Sequence, residues 1–268
     1  MTFHFYKYQG TGNDFIIADN RKNEYSALTT EQIHKLCDRR FGIGADGLML
    51  LNEKRDFDFE MKYYNADGMP GSMCGNGGRS IVAFAKSLDL IKANAKFMAV
   101  DGIHSAKISE NMVSLAMQDV KTIRSTDLGH EIYTGSPHLV VMVSDLRNLD
   151  VYAEGKRLRN LPLYASQGIN VNFVQEFKDY YEVRTYERGV EDETYSCGTG
   201  VTAVALVMAS LKNVKGDKLQ KIQTKGGELM VSFHFNEEHK VFDQITLNGP
   251  AEFVFEGKIS YSERLKKA

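Results

Sequence analysis

A chain of 268 residues has room for about two domains at roughly 150 residues each, and 43% apolar with 25% charged residues is an ordinary globular balance. A net charge of −2, with no basic run and no arginine–aromatic interleaving, argues against nucleic acid as a partner. Three cysteines do not make a disulfide framework and point to the reducing cytoplasm; no signal-peptide layout opens the chain, and no apolar run reaches the roughly 18 residues that span a bilayer, so no membrane association is expected.

Residues 1–18 read as two strands around a turn at Gly10-Thr11-Gly12-Asn13. Thr29 with Gln32 three residues on makes a capping box for a short helix whose stripe is Ile33, Leu36 and Cys37. Cys37 is read there as a small buried thiol. GLMLL from Gly47 is a buried strand, and the alternation of Phe57, Phe59, Met61 and Tyr63 marks a half-buried one ending in the turn chemistry of Asn65-Ala66-Asp67-Gly68. The stretch MCGNGGRSIVAFA, Met73 to Ala85, then places a cysteine before a glycine-rich turn and an almost wholly apolar helix. Strands follow at 96–100, 103–109 and 112–116, and residues 119–124 read as the crossing to a second half, with strands at 180–186, 229–235 and 244–248.

That second half repeats the first. SCGTGVTAVALVM, Ser196 to Met208, echoes the cysteine stretch, and Cys197 lies 123 residues after Cys74. The same offset carries Gly12 through Phe15 onto Gly135-Ser136-Pro137-His138, Gly47 onto Asn170, and Tyr63-Tyr64-Asn65 onto Tyr186-Glu187-Arg188. A repeat this long means two related domains, since solenoid units run roughly 20–50 residues. A helix without a polar face must be surrounded, and the rest of each half is mostly short strands. The expected fold is therefore α+β, with two pseudo-symmetric domains, each a barrel-like curved sheet wrapped around a central apolar helix. The expected boundaries are 1–120 plus 251–268 for the domain with Cys74, and 121–250 for the domain with Cys197.

The setting suits thiol chemistry. A free thiol titrates at about 8.5, and a helix N-terminus lowers that to roughly 3.5–7.5, because the first turn offers N–H groups outside the helical ladder and the positive end of the dipole. The glycines let an anion such as a carboxylate approach the backbone. Two related thiols facing one carbon suit inversion next to a carboxylate: one thiolate removes the proton and the opposite thiol returns one to the other face, with N–H donors steadying the growing charge. A hydrolase needs one cysteine and a histidine base, a thiol oxidoreductase usually has Cys-x-x-Cys, and neither explains a duplicated loop. The scattered histidines and cysteines show no metal-ligand spacing.

The segments KYQGTGNDF, YYNADG, MCGNGGR, GSPH, GINVNFV, TYERGVEDET and SCGTG, in this order, closely resemble the diaminopimelate epimerase family, up to GPAEFVFEG. The resemblance implies a cofactor-free isomerase, without a metal, that converts LL-2,6-diaminopimelate to the meso form in the lysine and cell-wall pathway. It also implies a homodimer and a last strand that returns to the first domain. Carried over by motif, Cys197 takes the proton from the LL substrate and Cys74 supplies one. Gly75-Asn76 and Gly198-Thr199 hold the reacting end, and Asn13, Asn65, Asn170, Glu187 and Arg188 bind substrate. His138 and Glu187 lie near the thiols as catalytic residues. Many family members have Asn-Pro-His where this chain has Ser136-Pro137-His138, and glutamine where it has Gly47.

Overall fold

The computed structural model describes residues 2–71 and 73–260. The chain divides into two compact units, one running to Leu115 and resuming at Pro250, the other Ala116–Gly249. The first unit contains β1 (Thr2–Gly10), β2 (Asn13–Asp19), α1 (Thr30–Cys37), β3 (Gly47–Asn52), β4 (Phe59–Asn65), α2 (Gly75–Ser87), β5 (Asn94–Ala99), β6 (Gly102–Ser109) and β7 (Met112–Ala116). The second contains β8 (Ile123–Thr126), β9 (Gly129–Tyr133), β10 (Pro137–Met142), α3 (Val151–Arg159), β11 (Asn170–Glu176), β12 (Tyr181–Glu187), β13 (Asp192–Thr194), α4 (Gly198–Leu211), β14 (Gly216–Thr224), β15 (Gly227–Asn236) and β16 (Val241–Pro250). The last strand, β17 (Glu252–Ser260), belongs to the first unit and pairs antiparallel with β1.

Hydrogen-bonded neighbours in the first unit run β17–β1–β2–β3–β4–β5–β6–β7. In the second, β8–β9–β10–β11–β12–β14–β15–β16 repeats that order, with β13 added as a hairpin on β12. The parallel pairs have the same register: Phe15 lies opposite Gly47 in β2–β3, and His138 opposite Asn170 in β10–β11, each 123 residues on. β17 thus holds in the first unit the place that β8 holds in the second.

Each sheet curves around one helix. α2 lies against β1, β2, β3, β6 and β17, and α4 against β9, β10, β11, β12, β14 and β15. Strands from so many places in a sheet touch one helix only if the sheet wraps it, which is what an apolar circumference requires. The outer faces pack the remaining helices. Ile33 and Leu36 of α1 meet Ile16, Ala18, Leu48 and Leu50, while Val151 and Leu158 of α3 meet Leu139, Val171 and Phe173. β3 is buried throughout because both faces are covered, the normal condition of a parallel strand.

The Thr29–Gln32 capping box of α1 is present in both directions, and Cys37 is buried. Val120 exchanges backbone hydrogen bonds with Phe242 inside the second unit. Seven elements, α3, β8, β9, β10, β11, β13 and β14, lie outside the segments that the sequence pattern marks. α3 carries Gly155 mid-helix, which weakens the helical signal by roughly 0.5–1 kcal/mol relative to alanine, yet a Cβ there would lie 2.3 Å from that of Tyr186, so the close packing requires glycine. β14, GDKLQKIQT, is polar because most of its first half is exposed. Among the described residues, no helix is long and apolar enough to cross a membrane.

Ala205 sits at 0% exposure in the middle of α4. Because the helix is surrounded, Ala205→Leu is expected to destabilise by about 1–3 kcal/mol, read as a lower urea midpoint at unchanged slope. A change within about 0.5 kcal/mol, the usual surface result, would contradict the enclosure.

Candidate active site

The residues singled out above gather at equivalent ends of the two sheets. In the first unit, Asn13 and Gly47 begin β2 and β3, Asn65 ends β4, and Cys74 is the N-cap of α2 in an extended conformation. In the second, His138 and Asn170 begin the paired stretch of β10 and β11, Glu187 ends β12, and Cys197 is the extended N-cap of α4. Neither cysteine makes a capping hydrogen bond to its helix through the side chain. Gly75 and Asn76, and Gly198 and Thr199, form the first turns.

Around Cys74, the Asn13 carboxamide is oriented by its partners. Its Nδ2 donates to Asp46 Oδ2 at 2.6 Å, so Oδ1 faces the sulfur at 3.6 Å and accepts from Asn76 Nδ2 at 3.3 Å. Asp46 is itself fixed by Arg39, which also bridges to Asp14. Burial raises the Asp14 carboxyl, but hydrogen bonds and charge from Arg39 and Lys7 outweigh it and bring the group down to about 2. Asn65 is exposed in its turn, where its carbonyl accepts from Gly68 N at 2.9 Å. Gly47 is covered by Tyr63: a Cβ there would lie 2.4 Å from the ring and 2.6 Å from the Tyr64 carbonyl oxygen. The ring thus fills the space beside this strand.

Sequence reading did not assign Arg79, which is fully buried one turn into α2. Its guanidinium reaches Thr11 Oγ1 at 3.1 Å and the Gly75 and Pro250 carbonyl oxygens at 3.4 Å. Burial holds its pKa down to about 10, opposed by the charge of Cys74, so it remains a cation at neutral pH. A charged residue inside an otherwise apolar helix was the available signal.

In the second unit, His138, Thr199, Asn170 and Cys197 are linked. His138 Nε2 lies 2.9 Å from Thr199 Oγ1, which lies 3.5 Å from Cys197 Sγ. Thr199 O also accepts from Thr134 Oγ1 at 2.8 Å. Asn170 Oδ1 accepts from Arg188 N at 2.9 Å, and Arg188 Nη1 donates to Gln167 O at 2.8 Å. Glu187 and Arg188 are half-buried beside this group, and Ser136 is half-buried where β10 begins, its carbonyl accepting from Thr134 N at 3.2 Å. His138 is itself fully buried, and burial together with the charge of Arg188 lowers its pKa to about 3. The ring is therefore held neutral at physiological pH. Asn172, also fully buried and two residues along the same strand face from Asn170, contacts the ring from behind. Two asparagines at alternate positions of a buried strand were the sequence signal for it. Among the described residues, no group of three or more histidine, cysteine, aspartate or glutamate side chains could hold a metal ion.

The fold is shared with solved structures of low identity. A PhzF-family phenazine biosynthesis protein of Bacillus anthracis matches with a TM-score of 0.73 at 16% identity, covering 97% of this chain and 100% of that one. A probable proline racemase from Agrobacterium radiobacter matches at 0.71 and 13%, covering 97% and 94%. Sequence is more specific. The family described as diaminopimelate epimerase matches residues 5–121 and 131–254. Diaminopimelate epimerase of Flavobacterium psychrophilum is 51% identical over 256 residues, 95% of this chain and 99% of the relative, and that of Chlorobaculum tepidum 42% over 261 residues, 94% and 99%. The chain belongs to the diaminopimelate epimerase family.

Two outcomes follow. Gly47→Ala is expected to cost about 1–3 kcal/mol through overpacking against Tyr63 and the Tyr64 carbonyl, measured by chemical denaturation. For His138, the unfolded chain takes up a proton below about pH 6.5 whereas the folded ring does not. Stability from this group is thus full above pH 6.5 and is lost as pH falls toward 3, at about 1.4 kcal/mol per unit. Wild-type stability measured at pH 6.5 and 4.5 is expected to differ by about 2 kcal/mol more than that of His138→Gln.

Proposed function

We propose that the protein inverts one α-carbon of LL-2,6-diaminopimelate to give the meso isomer, with Cys197 and Cys74 as the two acid–base groups. The observation that carries this reading is the placement of one thiol at the N-cap of the central helix in each of two units with the same strand order, in a chain of this family. Cys197 as thiolate takes the α-proton, and Cys74 as thiol gives a proton to the opposite face; the roles exchange in reverse. The substrate α-carboxylate gains charge as the carbanion forms, and N–H groups of the turns at Gly75-Asn76 and Gly198-Thr199 are suited to receive it.

The remaining assignments follow from position. Asn13, Asn65, Asn170, Glu187 and Arg188 lie at the same ends of their sheets as the thiols and are assigned to the substrate's ammonium and carboxylate groups, for which carboxamides can donate and accept and a guanidinium pairs bidentately. His138 supports Cys197 through Thr199. Family membership supports a homodimer working in the cytoplasm.

In D2O, the wild type is expected to convert LL-diaminopimelate to meso product carrying one deuterium at the inverted carbon. General acid–base catalysis contributes about 10²–10⁴-fold, so Cys74→Ala and Cys197→Ala should each slow epimerisation at least about 100-fold. Wild-type turnover in either variant would refute the two-thiol scheme, and racemisation of proline in place of diaminopimelate would overturn the substrate.

A further inference from the structure

The geometry points to Asn172 as a positioning residue that fixes His138 in its Nε2–H tautomer, so that the Thr199 hydroxyl is turned to donate a hydrogen bond to the Cys197 sulfur. The inference rests on the reading of Cys197 as the base and adds the device that holds it as a thiolate.

The chain of donors starts from groups whose roles cannot change. Asn172 Nδ2 lies 3.2 Å from Leu139 O and 3.5 Å from Asn170 O, and carbonyl oxygens only accept. Asn172 Oδ1 lies 3.0 Å from Thr185 Oγ1, a hydroxyl able to donate to it. The carboxamide is therefore fixed with its NH2 inward, and that NH2 lies 3.0 Å from His138 Nδ1. An amide NH2 cannot accept, so Nδ1 must carry the lone pair, and the one ring proton of a neutral imidazole is on Nε2. Nε2–H then donates to Thr199 Oγ1 at 2.9 Å. A hydroxyl already receiving that donor has its own proton to give, and Cys197 Sγ lies 3.5 Å away. Asn170 Nδ2 also approaches Nε2, but at 3.5 Å it is the longer contact, so Thr199 decides the direction.

Burial and the charge of Arg188 outweigh the opposing hydrogen bond with Asn172 and keep the imidazole neutral, which the sequence of donors requires. The arrangement has no room for variation: a Cβ on Gly200 would lie 2.3 Å from Asn172 Oδ1. It is also confined to one unit. The residues 123 positions earlier than His138 and Asn172 are Phe15 and Met49, which cannot reproduce it. Cys74 instead lies 3.6 Å from the Asn13 acceptor oxygen. The duplicated units thus place unlike side chains beside the two sulfurs.

The experiment is long-range 1H–15N correlation of the histidine rings on the full-length wild type, with His138 assigned by the spectrum lost in His138→Gln, together with the pH dependence of Cys197 alkylation by iodoacetamide in a Cys37→Ala/Cys74→Ala background. His138 is expected to show Nδ1 as the unprotonated and Nε2 as the protonated nitrogen from pH 6 to 8. Asn172→Asp, isosteric but able to accept, is expected to move the proton to Nδ1 or add a second one, and to change the Cys197 alkylation profile. Thr199→Val is expected to raise the midpoint of that profile, and Thr199→Ser to restore it. An Nδ1–H tautomer or an imidazolium in the wild type overturns the inference even if Asn172→Asp fails to fold, as does an alkylation midpoint unchanged by Thr199→Val. These readouts involve no substrate, so loss of the epimerase reading would appear separately, in the D2O exchange.

Discussion

A helix that is almost wholly apolar and enclosed has little but its ends for polar work. α2 and α4 are enclosed by their sheets along their length, and the wrapping leaves the first turn of each as the place where charge can be received. Everything functional is arranged around that constraint. The cysteines precede the first turns, glycines keep the turns open, and the polar residues of neighbouring strands occur where strands begin or end at the same level. Farther along the same strands, the inward positions are aliphatic, as at Val140 and Val174 in the core around α4.

The backbone of the duplication is more faithful than its side chains. The parallel pairs keep one register at an offset of 123, but the residues opposite one another are Phe15 and Gly47 in one unit and His138 and Asn170 in the other. At the fifth position of the central helices, Arg79 stands in one unit and Thr202 in the other. Both return a hydrogen bond to the carbonyl of the first helical glycine, Arg79 to Gly75 at 3.4 Å and Thr202 to Gly198 at 2.9 Å. Only the first brings a cation beneath its cysteine. The shared scaffold thus carries unlike side chains beneath its two cysteines.

Much of this was legible because period and spacing are properties of the chain. Helix α1 announced itself through Thr29 and Gln32, β3 through an unbroken apolar run, and the two thiols through a repeated glycine turn. The elements that escaped notice are those whose residues answer to neighbours rather than to their own segment. Gly155 is where it is because of Tyr186, in a strand well beyond its own helix. The role of Asn172 depends on Leu139, Thr185 and His138 together, and no local pattern in GINVNFV distinguishes it from Asn170. Arg79 was visible as an oddity in its helix, but its enclosure arises from Thr11 and Pro250, which lie far off in sequence.

The position of β17 bears on how the molecule is made. The second unit is one continuous stretch, Ala116–Gly249, and all the strands that enclose α4 are present once that stretch has left the ribosome. The first unit is begun earlier but lacks the strand beside β1 until residues 252–260 emerge. Domains formed during synthesis usually settle from the amino end; here the Cys74 half cannot complete that margin of its sheet before residues 252–260 have been translated.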